Sequence, residues 1–219
     1  MKTKFSFGDF LFWFQLVLGF VFGGFQVHHM ILHSTRGLST SMFLCTSVFL
    51  VINLHLAVAA HFFAPSKVTR QTIVIYGTGV LIYGSLLVVM FWKAESGWDQ
   101  YDTSTGIVVA IGVLLTLLYS LGWRVKILDP VIKGMYSLVF KSVPQLMMAI
   151  KIATIGGSGL NVVSLVVFHV LTLSRIYQIV RGIREAGWDR NRKGLAIAEM
   201  GNECTWVVVT IAWTYDLLF

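Results

Sequence analysis

The chain has 219 residues, 56% hydrophobic and only 12% charged, with a mean hydropathy of +0.77 and a formal net charge of +7. Soluble domains carry about 25% charged residues, and the deficit here runs from end to end, which excludes a soluble domain and gives a polytopic membrane protein. A basic excess on such a chain marks the side left behind during insertion, so nucleic acid is not an expected partner.

After the basic Met1-Lys2-Thr3-Lys4, seven apolar runs occur in order. They predict helices over residues 9–30, 41–63, 72–92, 105–122, 130–152, 160–180 and 195–217. No small-x-small cleavage site comes after the first run, so it reads as a span and not as a signal peptide. Pro65 and the stretches 98–103 and 188–193 mark three connections. Runs of this length without strict alternation exclude a barrel. The fold class is therefore all-α, with seven transmembrane helices. Cys45 and Cys204 sit inside spans, form no CxxC, and read as buried packing thiols.

The cations fall unevenly. Lys2, Lys4, Lys67, Arg70, Arg124, Lys126, Lys133, Arg181, Arg184, Arg190, Arg192 and Lys193 share the side of the N-terminus. The other side holds Arg36, Lys93 and Lys151, with Glu95, Asp99 and Asp102. Lys141 and Arg175 lie within spans. This bias puts the N-terminus in the cytoplasm or, for a mitochondrial inner membrane, in the matrix.

Two stretches repeat one another 119 residues apart. Phe25-Gln26 opens a run through Gly37 and Ser39; Pro144-Gln145 opens one through Gly156 and Ser158, with glutamine, glycine and serine in ungapped register. Each closes one apolar segment and opens another. The implied plan is 3+1+3: residues 1–93 a first three-helix repeat, 94–128 a linker helix, and 129–219 a second repeat in the same orientation.

That plan, with Pro144-Gln145 and the loop His33-Ser34-Thr35-Arg36-Gly37-Leu38-Ser39, resembles the PQ-loop superfamily. The group includes SWEET sugar transporters, cystinosin-like exporters, the KDEL receptor and the mitochondrial pyruvate carrier. The resemblance covers about 160 residues and implies a carrier that works by alternating access between two parallel bundles. In it Gln26, Pro144 and Gln145 are the motif and gating positions. Phe25 stands where the family has proline, so in copy one only Gly23-Gly24 offers loosening, without a forced kink. The predicted orientation also departs, since SWEETs and the KDEL receptor keep the C-terminus cytosolic. A pyruvate-carrier subunit resembles this chain in placing its N-terminus in the matrix.

Polar groups inside spans need a partner or a purpose. In ungapped register Asn53 corresponds to Thr172, and His55 to Ser174; both pairs are cavity candidates, against a plain inter-helix hydrogen bond. Glu199, Asn202, Glu203 and Trp206 recur at three and four residues and share a helix face. By resemblance to SWEETs, Asn202 and Trp206 would hold solute. A carboxylate of that face is a candidate to carry a coupling proton, with pairing of Glu199 and Glu203 to Arg175 or Arg181 as the plainer role. Arg175 either binds an anion or, as the better expectation, snorkels; Lys141 can do either. His29 and His33 stand at metal-capable i, i+4 spacing, but no acid accompanies them and head-group contact is the expected role. No nucleophile elbow, P-loop or dinucleotide fingerprint occurs, so neither enzymatic activity nor a cofactor is expected.

The expected substrate-binding residues are Asn53, Thr172, Asn202, Glu203 and Trp206. The expected function is carriage of a small polar metabolite (sugar, amino acid or carboxylate). The alternative is a non-catalytic subunit of a larger mitochondrial inner-membrane complex that kept the carrier fold. Partners are the bilayer and the solute, with other membrane subunits or a second copy under the alternative.

Overall fold

A computed structural model describes residues 6–93 and 98–219. Lys2, Lys4 and Glu95 lie outside them. The described residues are helical, without strands: α1 Phe7–Leu32, α2 Thr40–Phe63, α3 Lys67–Trp92, α4 Gln100–Gly122, α5 Pro130–Ser137, a π turn Leu138–Ser142, α6 Val143–Ile155, α7 Val162–Ala186 and α8 Arg190–Leu218. The segment Pro130–Ile155 forms one span, so among the described residues seven helices are long and apolar enough to cross a membrane.

The helices overrun the predicted bounds at their polar ends, for a local reason. Hydropathy reads the hydrocarbon-spanning part, whereas caps fix where helices start. Ser66 caps α3 and pairs reciprocally with Thr69, so the polar turn from Lys67 is helical. Asp99 with Asp102 does the same for α4, and Asp189 caps α8 several residues before Leu195. The end of α7 continues through the Arg181–Glu185 pair at 2.6 Å, one turn apart.

The fifth span is interrupted where Pro144 enters it. Proline lacks an N–H and clashes with the preceding turn. The π turn just before it widens the backbone, with the Val143 N–H reaching the Leu138 carbonyl. α1 has no such break. Gly23 there does not loosen the helix; it admits Ile82 of α3, which a Cβ would meet at 2.7 Å.

In the first triplet α3 lies between α1 and α2, and in the second α8 lies between the fifth span and α7. Across the halves, α1 packs on α7, and α2 packs on the π turn and α6. Those two contacts exchange if the first triplet is swapped for the second. α4 rests against α2 and the fifth span.

Polarity is arranged for lipid. Large apolar side chains such as Phe20, Leu81, Leu115 and Ile211 face outward, while Gln15, Gln26, Thr46, Gln145, Thr172 and Asn202 are buried. Cys45 is half-buried and Cys204 exposed, so the expectation of two buried thiols fails for Cys204, which sits on the outward side of α8. The core is aromatic and sulfur-rich: Phe22, Phe43, Tyr83, Phe168, Trp206, Met30, Met42, Met90 and Met148.

Candidate functional site

The first polar centre is a clasp between the loops at 33–39 and 156–161, on one face of the bundle. Gln26, 2% exposed, donates to the Gly159 carbonyl at 2.7 Å and accepts from the Asn161 N–H at 3.1 Å. His29 meets the Ser158 carbonyl at 2.9 Å, and the Gly159 N–H donates to the Arg36 carbonyl at 2.9 Å. Arg36 Nε donates to the Ile155 carbonyl at 2.5 Å, across a separation of 119 residues. Gly37 and Gly156, at the same separation, touch backbone to backbone, both at positive φ (81° and 91°). Glycine suits both requirements, since a Cβ on Gly37 would drive into the Gly156 carbonyl.

A charge network braces this face. Lys151, 3% exposed, meets Asp99 at 2.7 Å and Asp102 at 3.7 Å. Asp102 is fully buried and accepts from Ser39 Oγ, Ser41 N and Ser41 Oγ at 2.7–2.8 Å. α4, α6 and the start of α2 are thereby tied together. Burial works against the Asp99 carboxylate, but the Lys151 hydrogen bond and two backbone N–H groups outweigh it and hold its pKa below the usual range. On the opposite face, the hydrogen bond from Arg190 does the same for Asp129.

The second centre lies inside the second triplet. Gln145 Nε2 donates to Asn202 Oδ1 at 2.9 Å, Asn202 Nδ2 donates to Thr172 Oγ1 at 3.4 Å, and the Thr205 hydroxyl donates to Gln145 Oε1. Gln145, Thr172 and Asn202 are each at most 1% exposed. Trp206 comes next, its ring tilted against Phe168 with centroids 4.4 Å apart, and its buried indole N–H has no partner among the described residues. Phe168 in turn meets Phe22 of the first triplet at 5.3 Å, and Phe22 meets Tyr83 at 6.2 Å.

Of the expected site residues, Thr172, Asn202, Gln145 and Trp206 thus gather. Asn53 does not join them; it is half-buried and donates to the Phe49 carbonyl of its own helix at 2.8 Å. The ungapped register fails here. Ser39 and Asn161 cap α2 and α7 at a spacing three residues longer than that of the glutamines, which sets Asn53 against Arg175 instead of Thr172. Glu203 turns to His169 at 2.7 Å, and His169 also meets Thr210 at 2.8 Å, so the expected arginine partner holds only for Glu199. The guanidinium of Arg175 approaches Glu199 at 3.7 Å. Thr205, Thr210 and His169 escape a reading by sequence alone. The first two continue the polar spacing of α8, which is the available signal.

Scans of protein-family models, curated proteins and solved structures find no match to this chain.

Proposed function

We propose that this protein is a carrier for a small polar metabolite, built as two parallel three-helix repeats of the PQ-loop type, 1–93 and 129–219, joined by α4. One observation carries the reading. Arg36 bonds to the backbone of Ile155, and Gly37 abuts Gly156, each pair separated by the spacing of the repeated motif. Residues near a two-fold axis meet their own counterparts, and parallel repeats are related by such an axis along the membrane normal. The interchangeable contacts of α1 with α7 and of α2 with the fifth span support the same axis.

Transport then results from rocking of the halves about the aromatic centre, with the clasp as the closed gate. Gln145, Pro144 and the π turn supply the mobile segment. No chemistry is done on the solute. The charge bias puts the face opposite the clasp in the cytoplasm, or in the matrix of a mitochondrial inner membrane.

Uptake into proteoliposomes tests this. Asn202→Ala and Pro144→Ala are each expected to lower uptake at least several-fold, and uptake indifferent to both speaks against the carrier.

The second reading is a non-catalytic subunit of a larger membrane complex. It is favoured by the centre being filled with Phe22, Tyr83, Phe168 and Trp206, and by Gln145 and Asn202 spending their hydrogen bonds on each other. It predicts no uptake of any solute, together with migration in a larger assembly on native gels.

A further inference from the structure

Around the π turn the cations outnumber the carboxylates that face them. Lys141 on the π turn is 9% exposed, and its ammonium lies 5.7 Å over the Phe49 ring of α2. Among the described residues it has no carboxylate at ion-pair distance, although Glu199 of α8 and Arg175 of α7 both lie within its electrostatic range. Arg175 of α7 meets one carboxylate, Glu199 of α8, at 3.7 Å, which is too long for a hydrogen bond. Glu199 Oε2 is buried without a hydrogen-bond partner among the described residues. Tyr76 of α3 lies within electrostatic range of both Arg175 and Glu199. Five of the seven spans therefore converge on two cations and one anion. At ~1.5 Å per residue the three groups stand roughly 15 Å in from their helix ends.

A cation at that depth that shares its nearby carboxylate, Glu199, with a second cation is costly, and such a residue marks a functional site. A cleft of about 540 Å³ opens between α1, α3 and α7 on the basic face, lined among others by Ser6, Gln15, Gln71, Gln178 and Arg181. Its inner end is closed by Gln15, which donates to Ser174 Oγ at 3.2 Å, one residue from Arg175.

We propose that Lys141 and Arg175 are the recognition site for a small carboxylate solute, admitted from the basic face past Gln15 and Ser174. The solute's carboxylate supplies the missing negative charge. The planar fork of Arg175 fixes its orientation, and the Lys141 ammonium meets it as a point charge. Glu199 holds Arg175 in place when the site is empty and competes for it when the site is filled. The inference rests on the carrier reading for transport, but the binding site itself does not.

The test uses the full chain in lipid nanodiscs, with lactate, inorganic phosphate and glucose as probes. Lactate is expected to bind, at least ten-fold more weakly to Lys141→Gln, with recovery in Lys141→Arg. Glu199→Gln is expected to bind it several-fold more tightly, and Arg124→Gln, on a basic-face loop, is expected to bind it as wild type does. Binding of lactate unchanged in Lys141→Gln, weakened in Glu199→Gln, or no stronger than that of glucose or phosphate overturns the site. Lactate binding that depends on Lys141 without any uptake by proteoliposomes sustains the site and removes the carrier. Uptake of glucose indifferent to Lys141→Gln sustains the carrier and removes the site.

Discussion

Gln26 and Gln145 occupy the same place in the repeated motif, yet their amides do different work. Gln26 reaches into the opposite half and holds the backbone of the 156–161 loop. Gln145 stays inside its own triplet and links Asn202 to Thr205. The difference comes from a short stretch downstream of each. After Gln26 the chain reads His33-Ser34-Thr35-Arg36, and Ser34 takes the Arg36 N–H at 3.0 Å, a local turn that competes with the helix. After Gln145 the counterpart reads Ile152-Ala153-Thr154-Ile155, which stays helical to Ile155. Gln145 thus lies one turn deeper from its helix end and cannot reach the loops. The position of a motif residue depends on its downstream neighbours as much as on its own identity.

If the clasp is built on paired glycines, breaking one should matter more than breaking the other. Gly37→Ala puts a Cβ into the backbone carbonyl of Gly156 at positive φ, where neither partner can yield. A loss of about 3 kcal/mol or more is expected in detergent-based unfolding. Gly156→Ala meets only the Asp216 side chain, at 3.1 Å, which needs to give by only a few tenths of an ångström and can do so while keeping its bond from the Gly157 N–H. Its expected loss is the backbone strain alone, about 1–3 kcal/mol. Equal losses for the two would mean that the contact at Gly37 is not a tight one.

The glutamines themselves give the next effect. Gln26→Leu strands the Gly159 carbonyl and the Asn161 N–H, and a loss of about 1–3 kcal/mol is expected. Gln145→Leu removes inter-helix bonds within a bilayer, where such bonds average about 0.6 kcal/mol and reach about 1.7. Asn202 keeps Thr172, and Thr205 keeps the carbonyls of Gly201 and Asn202, so the smaller figure is expected. Unfolding midpoints of the two variants in one micelle preparation decide the order. A larger loss at Gln145 would reverse the comparison.

Much of this is legible from the residues alone. Seven apolar runs become seven helices, and the repeated stretches around Gln26 and Gln145 are visible as such in the residues, though not that their loops meet. Three things are hidden. Helix ends are set by caps such as Ser66 and Asp189 that hydropathy does not weigh. The register between α2 and α7 slips, because the extra turn in copy two is invisible to an ungapped alignment; that moves Asn53 away from Thr172. The His169–Glu203 pair, and the placing of Lys141 near the expected Arg175–Glu199 pair, join separate helices, and single-helix periodicity cannot say which faces meet.

The smallest effect separates the clasp's hydrogen bonds from its charges. Asp99 meets Lys151 at 2.7 Å and is held below its ordinary pKa, so its carboxylate is easier to ionise folded than unfolded. Such a group stabilises the fold fully above the unfolded value, near ~3.9, and loses that contribution as pH falls through the lowered folded value. Stability is therefore expected to be flat from about pH 7 to about 5 as far as this pair is concerned, and to fall below about 4. Asp99→Asn removes the proton-binding site, so the variant should lose part of that acid slope while keeping the hydrogen bonds of Gln26. Because the Asp99 side chain is one-third exposed, salt should shrink the difference further. An acid slope identical in Asp99→Asn would show that the Asp99–Lys151 pair does not carry the pH response.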